Sequence, residues 1–330
     1  MESIWQLVLL PFSLLCAVIP MVAFLGLVWW LDRYDREPIW LVLLTFAWGA
    51  LGGVLFALLG SSLAMEPLAM LVGPEQAEQL AAVIIAPLVE EPTKAMILFV
   101  IMFSRHFDHA ADGFVYGAAA GLGFGMTENF LYFTSMGSDP MTWFGMVVIR
   151  TFFSAVMHAC ATSCVGAVLG FARFRGWGAK ILALPMAFIP AMSIHALWNG
   201  LLTLDAYVTE WELSWFNFAL FPLEVMILFG IFQAAIWDER RLIRRELADE
   251  VVQGLLPLAH ATAIAGYFSR KKPGWVPAGV PQDAYIKAAT TLALRKHQCR
   301  YASQRAYPFY HDDVLRLRRE IQGLLALAKG

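Results

Sequence analysis

Apolar residues run along this chain in blocks of about 20 or more, divided by short polar stretches, a repeat far longer than that of a strand or a surface helix. Seven blocks, near residues 6–30, 38–65, 80–103, 113–135, 143–172, 181–204 and 214–237, are long enough to cross a bilayer as helices. The pattern predicts an all-α integral membrane protein, a bundle of about seven transmembrane helices over 1–237. Beyond 237 the pattern changes. The stretches DERRLIRRELADEVVQGLLPLA and DDVLRLRREIQGLLAL are amphipathic and flank RKKPGWVPAGVP, so 238–330 reads as a small, mostly helical tail.

Composition agrees: 59% of the 330 residues are hydrophobic and 15% charged, against about 25% charged in soluble domains. The first block exceeds a signal-peptide core and lacks a basic lead-in at Met1–Ser3, so it reads as an anchor. Of the four cysteines, Cys16, Cys160 and Cys164 lie in apolar blocks and Cys299 in the tail; no CxxC pair or Cys/His zinc spacing occurs. Arg33, Arg36, Arg105, Arg173, Arg175 and Lys180 follow blocks one, three and five, and Arg240, Arg241, Arg244 and Arg245 open the tail. The loops at 66–79, 136–142 and 205–213 hold no lysine or arginine, though they hold Glu66, Glu75, Glu78, Asp139, Asp205, Glu210 and Glu212. The positive-inside rule then puts the N-terminus outside and the tail in the cytoplasm. Sixteen of the 24 basic and nine of the 26 acidic residues fall in 238–330, so the tail is about +7 and the remainder about −9. A tail of that charge suits an anionic lipid surface. It has no basic face interleaved with aromatics, which excludes nucleic acid as a partner.

Against this background a few polar residues stand out. Glu90 and Glu91 interrupt AAVIIAPLVEEPTKAMILFVIMF, and Glu128, His158 and His195 interrupt three later blocks. Ionisable groups there are expensive and persist where protein or water surrounds them. Counted from the outer surface, Glu90 lies at roughly 15 Å, Glu128 at roughly 10 Å, His158 at roughly 20 Å and His195 at roughly 12 Å. One shared slab predicts one site. Lys94 follows the two glutamates by one helical turn, close enough to neutralise a carboxylate. Thr162 and Asn199, each four residues after a histidine, are placed to orient His158 and His195. Gly113, Gly117, Gly121 and Gly125 make a flat stripe for close helix packing that continues to Glu128.

A carboxylate beside imidazoles can activate water and stabilise the oxyanion of an amide. Alternatively Glu128, His158 and His195 would ligate a Zn²⁺ ion, with another glutamate as base. The HExxH pairing of soluble zinc proteases and a serine nucleophile elbow are both missing from the sequence. A proton- or cation-coupled transporter would use the same groups as a relay, but neither the VEEP nor the HxxxT pattern is duplicated. A sensor with a signalling tail is the third class.

VEEPTK (89–94), FGMTEN (124–129), HACAT (158–162) and HALWN (195–199) resemble, in order, the motifs of the PrsW family of intramembrane proteases. That family is akin to the CAAX prenyl and bacteriocin-processing proteases. The resemblance covers roughly 80–204. It implies a multi-pass protein of the bacterial inner or plasma membrane that cuts membrane-anchored proteins near the extracytoplasmic side, anti-sigma factors among them. By it, Glu90 and Glu91 match the catalytic pair, Glu128 the FxxxE glutamate, and His158 and His195 the membrane histidines. Relative to the prenyl enzymes, Lys94 stands for an arginine and Glu128 for a histidine. The expected mechanism has Glu90 as base, His195 and Asn199 facing the oxyanion, His158 and Glu128 completing a polar cage, and Glu91 with Lys94 balancing charge. Arg150 is expected to snorkel to headgroups, Glu224 lies at a similar depth to the site, and His106, His109 and Asp112 are expected to be solvated. Trp29, Trp30 and Trp237 read as interfacial belt. The oligomeric state is not legible.

Overall fold

The computed structural model describes residues 2–32, 34, 36–104, 106–135, 139–204, 214–302, 304 and 306–329. Arg33, Arg105, Asp205, Glu210 and Glu212, which enter the loop-charge pattern, lie outside the described residues. Most of the described chain is helical: α1 (Glu2–Leu31), α2 (Ile39–Val72), α3 (74–101), α4 (Ala110–Ser135), α5 (Pro140–Arg173), α6 (Trp177–Leu204) and α7 (Ser214–Val252). The tail follows as α8 (Leu258–Ala265), α9 (Tyr267–Arg270), α10 (Gln282–Tyr301) and α11 (Tyr307–Ala326). The chain is an all-α membrane protein.

Five of these helices, α1, α2, α5, α6 and α7, are long and apolar enough to cross a membrane by themselves. The two that fall short, α3 and α4, carry Glu90, Glu91, Lys94 and Glu128. Helix α3 bears Glu90, Glu91 and Lys94, and α4 is rich in glycine and alanine and almost wholly enclosed from Ala110 to Gly125. A helix surrounded by protein does not need lipid-facing leucines, so its composition is set by packing rather than by lipid.

Glycine makes that packing possible. A Cβ at Gly113 would overlap the Gly166 carbonyl, at Gly117 the Thr162 carbonyl and at Gly121 the His158 carbonyl. The predicted stripe therefore presses α4 backbone to backbone on α5, along the segment that carries His158. On its other side Gly123 meets the Phe46 carbonyl, and Gly49 of α2 meets that of Ala120. Chain direction is set by local signals. Gly73, at φ +90°, ends α2 and lets Pro74 open α3. Asp139 caps α5, accepting hydrogen bonds from the Met141 and Thr142 backbone N–H groups at 3.0 and 3.1 Å.

Three π-helical turns interrupt the long helices: Trp48–Gly53 in α2, Ala81–Ile85 in α3 and Arg150–Ser154 in α5. Each rotates the face presented beyond it, because one extra residue fits into a turn. Helix α7 runs unbroken for 39 residues, so the sequence boundary at 237/238 falls inside a single helix. Gly254, at φ +75°, follows its end. The tail then folds back on it: Arg318 pairs both Glu250 oxygens at 2.7 and 2.9 Å, and Lys296 reaches Glu250 at 2.8 Å. Tyr34 Oη donates to the Ala265 carbonyl at 3.1 Å, tying the tail to the loop after α1.

Candidate active site

Four helices bring one polar group or more to a common interior point. Lys94 is at its centre. Its ammonium, fully buried, reaches Glu90 Oε2 at 3.2 Å, Glu91 Oε1 at 2.8 Å and His158 Nδ1 at 2.9 Å, and lies 4.1 Å above the Phe124 ring. A lysine ammonium only donates, so His158 Nδ1 accepts and its proton sits on Nε2. That Nε2–H donates to Glu128 Oε2 at 2.6 Å. His158 is thus held at both nitrogens, in one tautomer.

His195 is held from one side only. Its Nδ1 lies 2.9 Å from Glu91 Oε1, while Nε2 faces Glu90 Oε2 at 3.8 Å, too far for a hydrogen bond. The two imidazoles cross edge to face, 5.0 Å between centroids. Glu91 has no exposed side-chain surface and is occupied by Lys94, His195 and the Thr162 hydroxyl, which donates at 3.3 Å. Glu90 keeps 14% of its side chain exposed and Glu128 21%. Among the described residues Glu90 Oε1 has no hydrogen-bond partner.

The structure alters several roles. Thr162 does not orient His158; it bonds Glu91, because the neighbouring α3 carboxylate is nearer than the imidazole one turn away. Asn199 does not face a bound carbonyl: its Nδ2 donates at 2.9 Å to the Ala82 carbonyl, inside the π-helical turn of α3, where helical hydrogen bonding is irregular. Arg150 does not snorkel. It pairs with Glu128 Oε2 at 2.8 Å, stacks 3.6 Å from the Tyr132 ring and is clamped by Asn129, which accepts from Arg150 Nε at 3.1 Å and donates to its carbonyl. Glu224 is buried on α7, its backbone carbonyl 3.7 Å from Cys160 Sγ, and is not among the groups gathered round Lys94.

The set suited to a metal ion differs from the expected one as well. Glu90, His158 and His195 each offer a ligand atom within 4.8 Å of the others, with Glu90 in the place given to Glu128, whose oxygen is committed to Arg150 and His158. Two imidazoles and a carboxylate suit zinc, and Glu91 backing Nδ1 of His195 leaves Nε2 as a ligand in the manner of carboxylate–histidine–metal sites. His158 would bind through a nitrogen that now faces Lys94 or Glu128. The donor set therefore fits a zinc ion, with His158 the member that must change partners.

His109 and Asp112 are buried rather than solvated. His109 bridges Asp112 at 2.6 Å and Glu239 of α7 at 3.3 Å, on the tail side of the bundle. Burial opposes its charge, but Asp112 and Glu239 outweigh it and hold the imidazolium well above the usual histidine range. Asp108 next to it is pushed up to about 7, by burial first and then by Asp112.

The model of a family described as PrsW family intramembrane metalloprotease matches residues 37–231, which contain every group gathered round Lys94. The chain belongs to this family. Protease PrsW of Bacillus subtilis (strain 168) is 28% identical over 187 residues, covering 56% of this chain and 80% of that protein. Protease PrsW of Geobacillus kaustophilus (strain HTA426) is 30% identical over 165 residues, 49% of this chain and 68% of its own length. That of Shouchella clausii (strain KSM-K16) is 25% identical over 233 residues, 70% and 96% respectively. No solved structure matches. Family membership decides among protease, transporter and sensor: the chain is a bacterial multi-pass membrane protease, acting in the bilayer on membrane-anchored substrate.

Proposed function

We propose that this PrsW-family chain cuts membrane-anchored proteins near the extracytoplasmic side, using a water activated by Glu90. Single-span anti-sigma factors, which the resemblance implies, are substrates of this class. The observation that carries the reading is the contrast between two adjacent carboxylates. Glu91 is sealed and fully partnered, whereas Glu90 is partly open, with Oε2 toward Lys94 and His195 and Oε1 without a partner among the described residues.

Glu90 takes a proton from water, and the resulting hydroxide bonds to the scissile carbonyl carbon. The oxyanion faces His195 Nε2, which donates to it when it carries a proton. Glu90 then returns its proton to the amide nitrogen as the C–N bond breaks, leaving an acid and an amine. Charge supports this distribution. Glu90, Glu91 and Glu128 against Lys94 and Arg150 leave one uncompensated negative charge, and a proton on the Glu90–His195 pair removes it. Lys94, Glu128 and Arg150 hold His158 and the carboxylates in register and position the reacting groups.

The compact Glu90, His158 and His195 set favours a second reading. There these three residues would hold zinc, which supplies Lewis-acid polarisation and an acidified water, and Glu128 would be the carboxylate left to act as base.

Cleavage of a single-span substrate in proteoliposomes, without an ion gradient, tests the reading. Wild type cuts it, and Glu90→Gln lowers the rate by about 10²–10⁴ while melting stays near wild type. Full cleavage by that variant refutes the assignment of Glu90. Stoichiometric zinc in wild type, missing from His195→Ala, with activity lost on chelation, selects the zinc reading instead.

A further inference from the structure

Where α5, α7 and the tail helix α10 meet, on the side of the bundle away from the candidate active site, lies a cavity of about 400 Å³. Its charged walls are unequal in their commitments. The acids already have partners: Asp108 faces Arg295 at 3.5 Å, Asp238 faces Arg175 at 3.8 Å, and Glu246 is bonded by Arg300 at 3.0 Å. Arg241 and Arg245, one turn apart on α7, line the same cavity and have no carboxylate within ion-pair distance among the described residues. His297 stands opposite on α10, its Nδ1 3.9 Å from Glu246 Oε1 and its ring 5.8 Å from that of Phe174.

The level of the cavity in the membrane follows from Phe171, which lines it, and from Trp177 and Trp237, each within two residues of its lining in sequence. Trp177 is 77% exposed, Trp237 57% and Phe171 46%, and guanidinium groups lie over two of these rings, Arg175 at 3.5 Å from Phe171 and Arg241 at 4.4 Å from Trp237. Exposed tryptophan with arginine stacked on it marks headgroup level, where rings meet the acyl boundary and guanidinium groups meet phosphate. By the loop charges this is the cytoplasmic surface. Two arginines without a carboxylate partner among the described residues, a histidine and an apolar floor at that level are complementary to one ligand chemistry: a phosphate with hydrocarbon attached.

We propose that this cavity is a binding site for the headgroup phosphate of an anionic phospholipid of the inner leaflet. The lipid lies between Arg241 and Arg245 of α7 and His297 of the tail, its chains against Phe171 and Phe174. It thereby fastens the tail to the bundle. The site is separate from the proteolytic chemistry and stands whether or not Glu90 is the base; it rests on the orientation predicted from the loops.

The full chain in lipid-poor detergent is titrated with phosphatidylglycerol, phosphatidylcholine or soluble glycerol phosphate. Bound lipid is counted by native mass spectrometry and melting is followed in parallel. Phosphatidylglycerol binds and raises the melting temperature, and Arg241→Ala/Arg245→Ala weakens it by about 30-fold, at roughly fivefold per surface cation. The charge-matched control Arg240→Ala/Arg244→Ala, on the same helix but outside the cavity, keeps affinity within about twofold of wild type. Equal losses in the two variants, or equal stabilisation by phosphatidylcholine, overturn the site. Protection by glycerol phosphate matching that of phosphatidylglycerol overturns the lipid as its source.

Discussion

Lys94 offers the sharpest test of how the interior is held together. Lys94→Met keeps most of the apolar stem and deletes one charge with three close partners, at 3.2, 2.8 and 2.9 Å. The net charge of the cluster then becomes more negative by one unit, inside the bilayer. Breaking a buried pair by removing one partner costs about 3–5 kcal/mol, a large part of the roughly 5–15 kcal/mol that holds a typical domain folded. Glu91→Gln breaks the 2.8 Å pair from the other end and is expected to cost a similar amount. The double variant has the wild-type net charge, so its cost falls short of the summed single costs by about 2–3 kcal/mol. Equilibrium unfolding in mixed micelles, read by tryptophan fluorescence, measures all four corners of the cycle. Additivity within about 0.5 kcal/mol would mean that Lys94 and Glu91 do not depend on each other, and the account of the cluster would fail.

Other expectations concern the scaffold around it. Gly117→Leu forces the α4 and α5 backbones apart at the Thr162 carbonyl, so melting temperature and cleavage fall together; unchanged cleavage would contradict the close packing. Arg150→Met leaves Glu128 with His158 alone and should reduce cleavage with a smaller loss of stability than Lys94→Met, since its guanidinium is at the edge of the set. At the tail side, stability should decline as pH rises. His109, with a folded-state pKa above its ordinary 6.5, stabilises fully below that value and loses the contribution as pH climbs through the raised one. Asp108, raised from 3.8 to about 7, binds more protons when folded, so its contribution also declines between those values. Limited proteolysis of the tail across pH 6–9 reads this out, and His109→Gln should flatten the alkaline part.

Much of this architecture could be read from residue order. The seven apolar blocks correspond to α1 through α7, and the four-residue glycine spacing marked the face along which α4 meets α5. A shared slab of depth is enough to group Glu90, Glu128, His158 and His195 from the sequence. What escaped was rotational. Eight residues of regular α-helix place Arg150 about 80° away from His158, which argues for different faces. The π-helical turn Arg150–Ser154 inserts the offset that realigns them on Glu128. Spacing shows that a hydroxyl or amide lies one turn from a histidine, but not which neighbouring helix comes closer; Thr162 and Asn199 were misread for that reason. His109 and Asp112 were missed because their covering partner, Glu239, is more than a hundred residues away on α7.

Helix α7 leaves the bilayer without a break. Thirty-nine residues make a rod of roughly 58 Å, nearly twice the hydrocarbon thickness, with its far end gripped by Arg318 and Lys296. A rod has a mechanical advantage that a jointed linker lacks: pivoting by about 10° at one end swings the other by roughly 10 Å. Small tilts near Glu224 are therefore written large on the tail side, where a pair of fluorophores would register them.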